Sequence, residues 1–521
     1  MSGQAQKGID MNTHFIAKIL TLLAVITVTF TAYAQTSTSD ILSELPESHD
    51  QAQQSFVSNK VVTTNCGDIY RGFLMLPGFA EVDGGELRDM PPPIAQRVAV
   101  GANRELVPTD YDQVSSGYVL IEPLDTQQSF LINNEKEIVA TIEGDYYPIY
   151  TQILDNGNRL VTSFSHTDVF PSAGGAGGCV EEVSAKGDLL WRVNLNTDKY
   201  IQHHDVIKLE NGNILAMIWE LATAEEAIAL GRDPDLVAEN GTFWWDSIIE
   251  VNPHTLEVVW EWSVKNHLIQ DLDPTKPNYG VVADHPERIN INKVHMSGGQ
   301  TKINPDWLHT NAFDYHPDLD QIMISSNFLS EVWFIDHSTT TTESMASEGG
   351  RYGKGGDLIY RWGNPGNYDK DTEADRISYN QHDIQWILPG LPGAGNILIF
   401  NNGDPQLRPY TTVIEFTPNM NADGSYNLTE NGSYDPGEMI WEYDPAPPEQ
   451  FFSWLVSGAQ RLPNGNTLIN HGAGGHVREV NPKGQIVWDY SFKNHVDAPH
   501  TVFRVYRYEE DHPGLVHLLS Q

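Results

Sequence analysis

Four histidine positions decide what chemistry this chain can do. His203-His204, His309, His382 and His500 each open a short run rich in aliphatic residues, and the runs repeat one another along the sequence. Imidazole titrates near neutrality without perturbation, so such a set suits three chemistries: holding a transition metal, moving protons, or attacking as a nucleophile. A single histidine at a strand entry is accounted for by a hydrogen bond to backbone. Four at one level of a repeat, out of 19 in the chain, point to a shared site. Two further repeats put Tyr146-Tyr147 and Ser457 at that level.

Each histidine has polar company. Asp205 follows His204, Asp383 follows His382, and Asn311 lies two residues after His309. Side chains alternate along a strand, so the two aspartates face away from their own histidines and are expected to brace the neighbouring unit. Asn311 shares a face with His309.

The elements that must position these residues are four-strand units. From Val456 to Tyr490 the chain reads as four short strands separated by Asn464-Gly465, a Gly-rich crossing and Lys483-Gly484. Similar units start at Tyr147, His204, His309 and His382. A sixth, from Tyr118 to Ile142, lacks its opening strand, and one strand, His500 to Tyr508, is left over at the C-terminus. Units of this kind cannot bury both faces alone, and closing a ring with the last strand removes the exposed edges. The expectation is an all-β, six-bladed β-propeller over residues 111–521, closed by the C-terminal strand. The insertions Ala222 to Phe243, Asn266 to Asp306 and Met345 to Gly356 are expected to cluster on one face as a binding mouth.

Ahead of the ring, residues 1–34 read as a secretory signal whose true start is Met11: Lys18, an apolar run from Ile19 to Thr29, then Ala32-Tyr33-Ala34. Residues 35–110 read as a lead-in or strap. These features imply a periplasmic or secreted protein without stable membrane insertion. A net charge of −39, from 70 acidic against 31 basic residues, argues against nucleic acid and anionic lipid as partners. The two cysteines, Cys66 and Cys179, are expected to form a disulfide in an oxidising compartment; the alternative is two buried thiols.

The histidine pair at 203–204, His309-x-Asn311, the run Ser325-Ser326-Asn327 and Gln381-His382-Asp383, with the phrases NGNIL and GNILIFNNG, together resemble the bacterial arylsulfotransferases. The resemblance spans roughly Tyr118 to Tyr508. It implies transfer of a sulfuryl group from a phenolic sulfate to a phenol, with neither metal nor cofactor. On that likeness His382 is the nucleophile and becomes a transient sulfohistidine, while His309 and His204 complete the catalytic set. Asn311, His203, Asn327, Arg361, His500 and Tyr147 would contact substrate. Where the family pattern carries an arginine after the Ser-Ser pair, this chain has Asn327, and Arg361 and Arg351 are the nearest substitutes. A polysaccharide lyase acting on an acidic saccharide is the alternative, with Tyr147, His204 and His309 as acid and base and Arg361 neutralising a carboxylate.

Overall fold

Tight turns set the length of every strand. Gly465 and Gly484 take φ of +90° and +74°, which an L side chain adopts only with strain. The asparagine after such a turn anchors it. Asn213 donates to Glu250 (2.5 Å), Asn396 to Glu415 (2.6 Å) and Asn466 to Glu479 (2.6 Å), each glutamate lying on the third strand of the same unit. The NGN phrases of the sequence therefore record a hydrogen bond that ties a turn to its sheet.

A computed structural model describes residues 60–66 and 106–520, apart from 166, 168, 171–173, 298–299, 373–374, 446–450 and 493–500. The segment expected to be a signal sequence, most of the lead-in and His500 lie outside the described residues. Six four-stranded antiparallel sheets form a six-bladed β-propeller. Blade 1 holds Tyr118–Ile121, Gln128–Ile132 and Ile138–Glu143, with Tyr506–Tyr508 as its innermost strand. Blades 2 to 6 begin with Pro148–Ile153, Tyr200–Lys208, Thr310–His316, His382–Trp386 and Gly458–Arg461. The fold expected from the repeats is the fold observed, including closure by the last strand.

The core lies between blades. Trp262, Trp333 and Trp488 are fully buried, packed with Ile, Leu and Val from adjacent sheets. Burying aliphatic side chains of this size stabilises by roughly 1.5–3 kcal/mol each. Cys66 and Cys179 are joined in a disulfide that ties the segment 60–66 to blade 2.

The insertions do not all share a face. Ala222 to Phe243 and Asn266 to Asp306 leave from the ends of strands that meet the histidine level. Met345 to Gly356 leaves from the opposite end, where Arg351 bonds the carbonyls of Asp318 and Leu319, and climbs the outside of blade 3 to Trp262. Strand parity dictates this, because a loop after a third strand emerges opposite the one after a second.

His337 bridges blades 3 and 4, with Nδ1 2.8 Å from Asp320 and Nε2 3.1 Å from Glu250. Burial opposes its charge, but hydrogen bonds to both carboxylates outweigh burial and raise its pKa to about 9. A raised pKa contributes stability that is complete below the unfolded value near 6.5 and is lost as pH rises through about 9. The stability gap between the parent and His337→Gln, read by denaturant melts, should therefore narrow steadily from pH 6.5 to 9.5; a gap independent of pH would refute the charged bridge.

Candidate active site

The innermost strands of blades 3, 4 and 5 open with a β-bulge, and in or just before each bulge a non-glycine residue lies in the left-handed region: His204 (φ +49°), His309 (φ +47°) and Asp383 (φ +49°). Such conformations cost on the order of 1–3 kcal/mol each and persist only where neighbours over-determine them. Here they turn His204, His309 and His382 toward one cavity of about 410 Å³. Its polar side is completed by His295, Asn304, Asp306, Asn327 and Asn380; Leu124, Ile149, Phe164, Phe328, Trp454, Leu455, Val456 and Phe503 make an apolar wall.

The four cavity histidines are not equivalent. His309 Nδ1 lies 2.5 Å from the Asp306 carboxylate, whose other oxygen accepts the His309 backbone N–H at 3.1 Å. Burial would lower the pKa of His309, but Asp306, with Asp246 nearby, outweighs it and holds the ring above the ordinary histidine value. His382 falls to about 3 through burial and the charge of His309, with Asn402 opposing at 2.9 Å from Nδ1. His204 is pushed well below the usual value by burial and then by His309. His295 is brought in by the hairpin His295–Ser297 and Gln300–Lys302; burial and His309 lower it to about 4. The surroundings thus favour the charged form at one imidazole, His309, and the neutral form at the other three. Phe328 lies between His295 and His309, its ring stacked on both (4.1 and 4.7 Å).

The remaining sequence candidates are distributed differently. His203 is fully buried behind His204, stacked 3.9 Å on Trp219 with its Nδ1 2.9 Å from that of His204, and does not line the cavity. Asn311 is also buried, its amide donating to the Gln381 carbonyl, because it occupies the bulge between Thr310 and Ala312. Asn327 lines the cavity, but its Nδ2 donates to the carbonyls of Asn380 and Gln381. Tyr147 is half-buried beside the apolar wall and outside the cavity lining. Arg361 is not a substrate contact: it is fully buried on the outer strand of blade 4, held by both oxygens of Glu331 and by the carbonyls of Pro286 and Arg288. Tyr147 and Arg361, on which the lyase alternative depended, do not join His204 and His309.

Sequence reasoning missed four contributors. Asp306 stands three residues before His309, a spacing that could have signalled the pair. Asn402 sat unrecognised in the NNG phrase. His295 comes from a long insertion with no repeat register. The GGAGG run at 174–178 supplies cavity wall: Gly174 and Gly175 line it, and a Cβ on Gly175 would come within 2.2 Å of His204 Nε2. Among the described residues no three His, Cys, Asp or Glu side chains are arranged as a metal ligand set.

A closed propeller with histidines converging from the innermost strands of blades 3, 4 and 5 on an axial cavity defines a class of ring-shaped protein with an imidazole-lined pocket. The family model for arylsulfotransferase (ASST) matches residues 151–495, and the chain belongs to that family. No curated protein matches. Solved structures with partial similarity include a protein of unknown function from Bacteroides caccae, at 13% identity and TM-score 0.39, covering 75% of this chain and 98% of that one. Another is a putative 6-phosphogluconolactonase from Bacteroides fragilis (11%, TM-score 0.34, 77% and 100%). A third is a virginiamycin B lyase from Staphylococcus aureus (10%, TM-score 0.34, 75% and 89%).

The His309–Asp306 pair is open to direct measurement. Asp306→Asn keeps the hydrogen-bond acceptor and removes the charge, so the remaining burial should carry the His309 pKa from above 6.5 to below it. An NMR titration of the ring protons reads the shift, and an unchanged His309 would show that Asp306 does not set its charge.

Proposed function

We propose that this protein is an exported arylsulfotransferase that passes a sulfuryl group from a phenolic sulfate ester to a phenol through a sulfohistidine on His382. The observation that carries the reading is a single cavity in which one imidazole kept neutral by burial, His382, and one whose charge is favoured by Asp306, His309, face an apolar wall, in a chain of the arylsulfotransferase family. A lone pair on the His382 ring attacks sulfur, and the sulfur–oxygen bond to the aryl group breaks. The departing oxygen takes the proton of His309. An incoming phenol returns that proton to His309 as its oxygen attacks the sulfohistidine, which leaves the enzyme as it began.

His204 and Asn304 are the groups best placed to donate to the sulfuryl oxygens, and His309 supplies the positive charge. The aryl ring stacks along Phe328 or against Phe503, Leu455 and Val456. Export is supported by the signal-like residues 11–35 and by the Cys66–Cys179 disulfide.

His382→Ala should retain its thermal transition while turnover of a chromogenic aryl sulfate drops below roughly a thousandth. Incubation of the parent with donor alone should add one sulfuryl mass to a peptide containing His382; a variant keeping more than a tenth of the activity would sink the assignment. His309→Ala should lose about 10²–10⁴-fold in rate yet still label slowly.

The pH profile follows from the same two rings. Turnover needs His309 protonated and His382 neutral, so it should persist through mildly acidic pH and fall as pH rises through the raised His309 value. In Asp306→Asn that falling limb should move to lower pH; a limb that stays in place removes His309 as the acid.

A further inference from the structure

The side chain of Asn402 occupies a position with no freedom of assignment. Its Nδ2 faces two backbone carbonyls, Ser453 at 2.7 Å and Val456 at 3.0 Å, and both can only accept. Its Oδ1 is therefore the atom 2.9 Å from His382 Nδ1, and an amide oxygen can only accept. Nδ1 must carry the hydrogen. Within a neutral ring that leaves Nε2 bare.

We propose that Asn402 is a positioning residue: it holds His382 in the tautomer whose Nε2 lone pair is free, and it joins that ring to the segment 453–456 that walls the apolar side of the cavity. The inference rests on the reading of His382 as nucleophile and adds which nitrogen reacts and what keeps it ready. Attack through Nε2 forms the nitrogen–sulfur bond and releases the aryl oxygen with its electron pair; the Nδ1 hydrogen stays on the ring. The ring then bears positive charge that the Asn402 oxygen stabilises through the same hydrogen bond.

Asn402 is itself well supported. The Thr411 hydroxyl donates to its carbonyl (2.7 Å) and accepts the Ser453 backbone N–H (2.8 Å), so residue 402 and the segment 453–456 are fastened at two points. Trp454, Leu455 and Val456 all line the cavity. Through Asn402, the nucleophile and the surface that grips the aryl ring are set by one side chain.

The test is a long-range proton–nitrogen correlation on protein labelled with ¹⁵N-histidine, the His382 signals being assigned by their loss in His382→Ala. The parent is expected to show a protonated Nδ1 and an unprotonated Nε2; a protonated Nε2 overturns the proposal without any variant having to fold. In Asn402→Ala the two tautomers should mix and kcat for 4-nitrophenyl sulfate should fall at least about tenfold, as when other catalytic histidines lose the partner that fixes their tautomer. Asn402→Ala with the parent tautomer and kcat would also overturn it. If the parent turns over no aryl sulfate, the transferase reading fails, while the nitrogen spectrum still decides whether Asn402 sets the ring.

Discussion

The structure depends on the ring closing. A blade is a twisted sheet with an apolar face on each side, and only neighbours on both sides bury them. Contacts between consecutive innermost strands run the whole way round. Tyr508 of blade 1 accepts the Ile153 backbone N–H of blade 2 at 2.9 Å, and the Tyr150 hydroxyl donates to the Val206 carbonyl of blade 3. Asp205 accepts from Phe313 of blade 4 (3.3 Å), Asp314 from Trp386 of blade 5 (2.8 Å), and Asp383 from Ala459 of blade 6 (2.8 Å). Gln460 accepts from Arg507, back on the closing strand of blade 1, at 2.7 Å. Opening any one junction exposes two apolar faces and a row of unpaired backbone groups.

The same hardware carries the site. Arg504, just before the closing strand, is buried among carboxylates from two blades: Nη2 lies 3.0 Å from Asp205 and Nε 2.9 Å from Asp383. Each of those aspartates follows a cavity histidine, so one guanidinium fixes the backbone on which His204 and His382 stand. A buried cation without partners would be prohibitive, and two buried carboxylates without a cation equally so; together they make a junction that tolerates little displacement. That junction explains how strained left-handed residues survive at 204 and 383. The bulge turns the histidine toward the axis while the next blade and Arg504 hold the aspartate in place.

The fold was legible because its signals are local and repeated: NGN turns, strands ending in Trp, and a strand missing at one end and spare at the other. The histidine level was legible for the same reason, and alternation alone sent Asp205 and Asp383 to the adjacent blades. Alternation also misled, because the bulges at 203–205 and 310–312 break the period of two. His203 turned into the core, and Asn311, placed by period beside His309, was buried against Gln381. Arg361 was unreadable for another reason. Its partner Glu331 lies on a neighbouring strand, and a sequence does not distinguish an arginine that faces substrate from one already neutralised. His295 came from an insertion outside any register.

Electrostatics gives the site its last constraint. The chain carries a net charge of −39, yet its cavity must accept an anion if it handles sulfate esters. Asn327 stands where a fixed cation was expected, and its amide hydrogens are committed to Asn380 and Gln381. Among the cavity-lining side chains the charged form is favoured at His309, by Asp306 with Asp246 nearby. A cation sustained in this way differs from an arginine in one respect: it can give up its proton. On the proposed transfer, losing that proton turns the pair from neutral to negative as the anionic donor parts with its aryl group. The oxygen that takes the proton departs as the neutral phenol. On the proposed mechanism an Asp-supported histidine couples anion binding to proton transfer, and one residue then performs both.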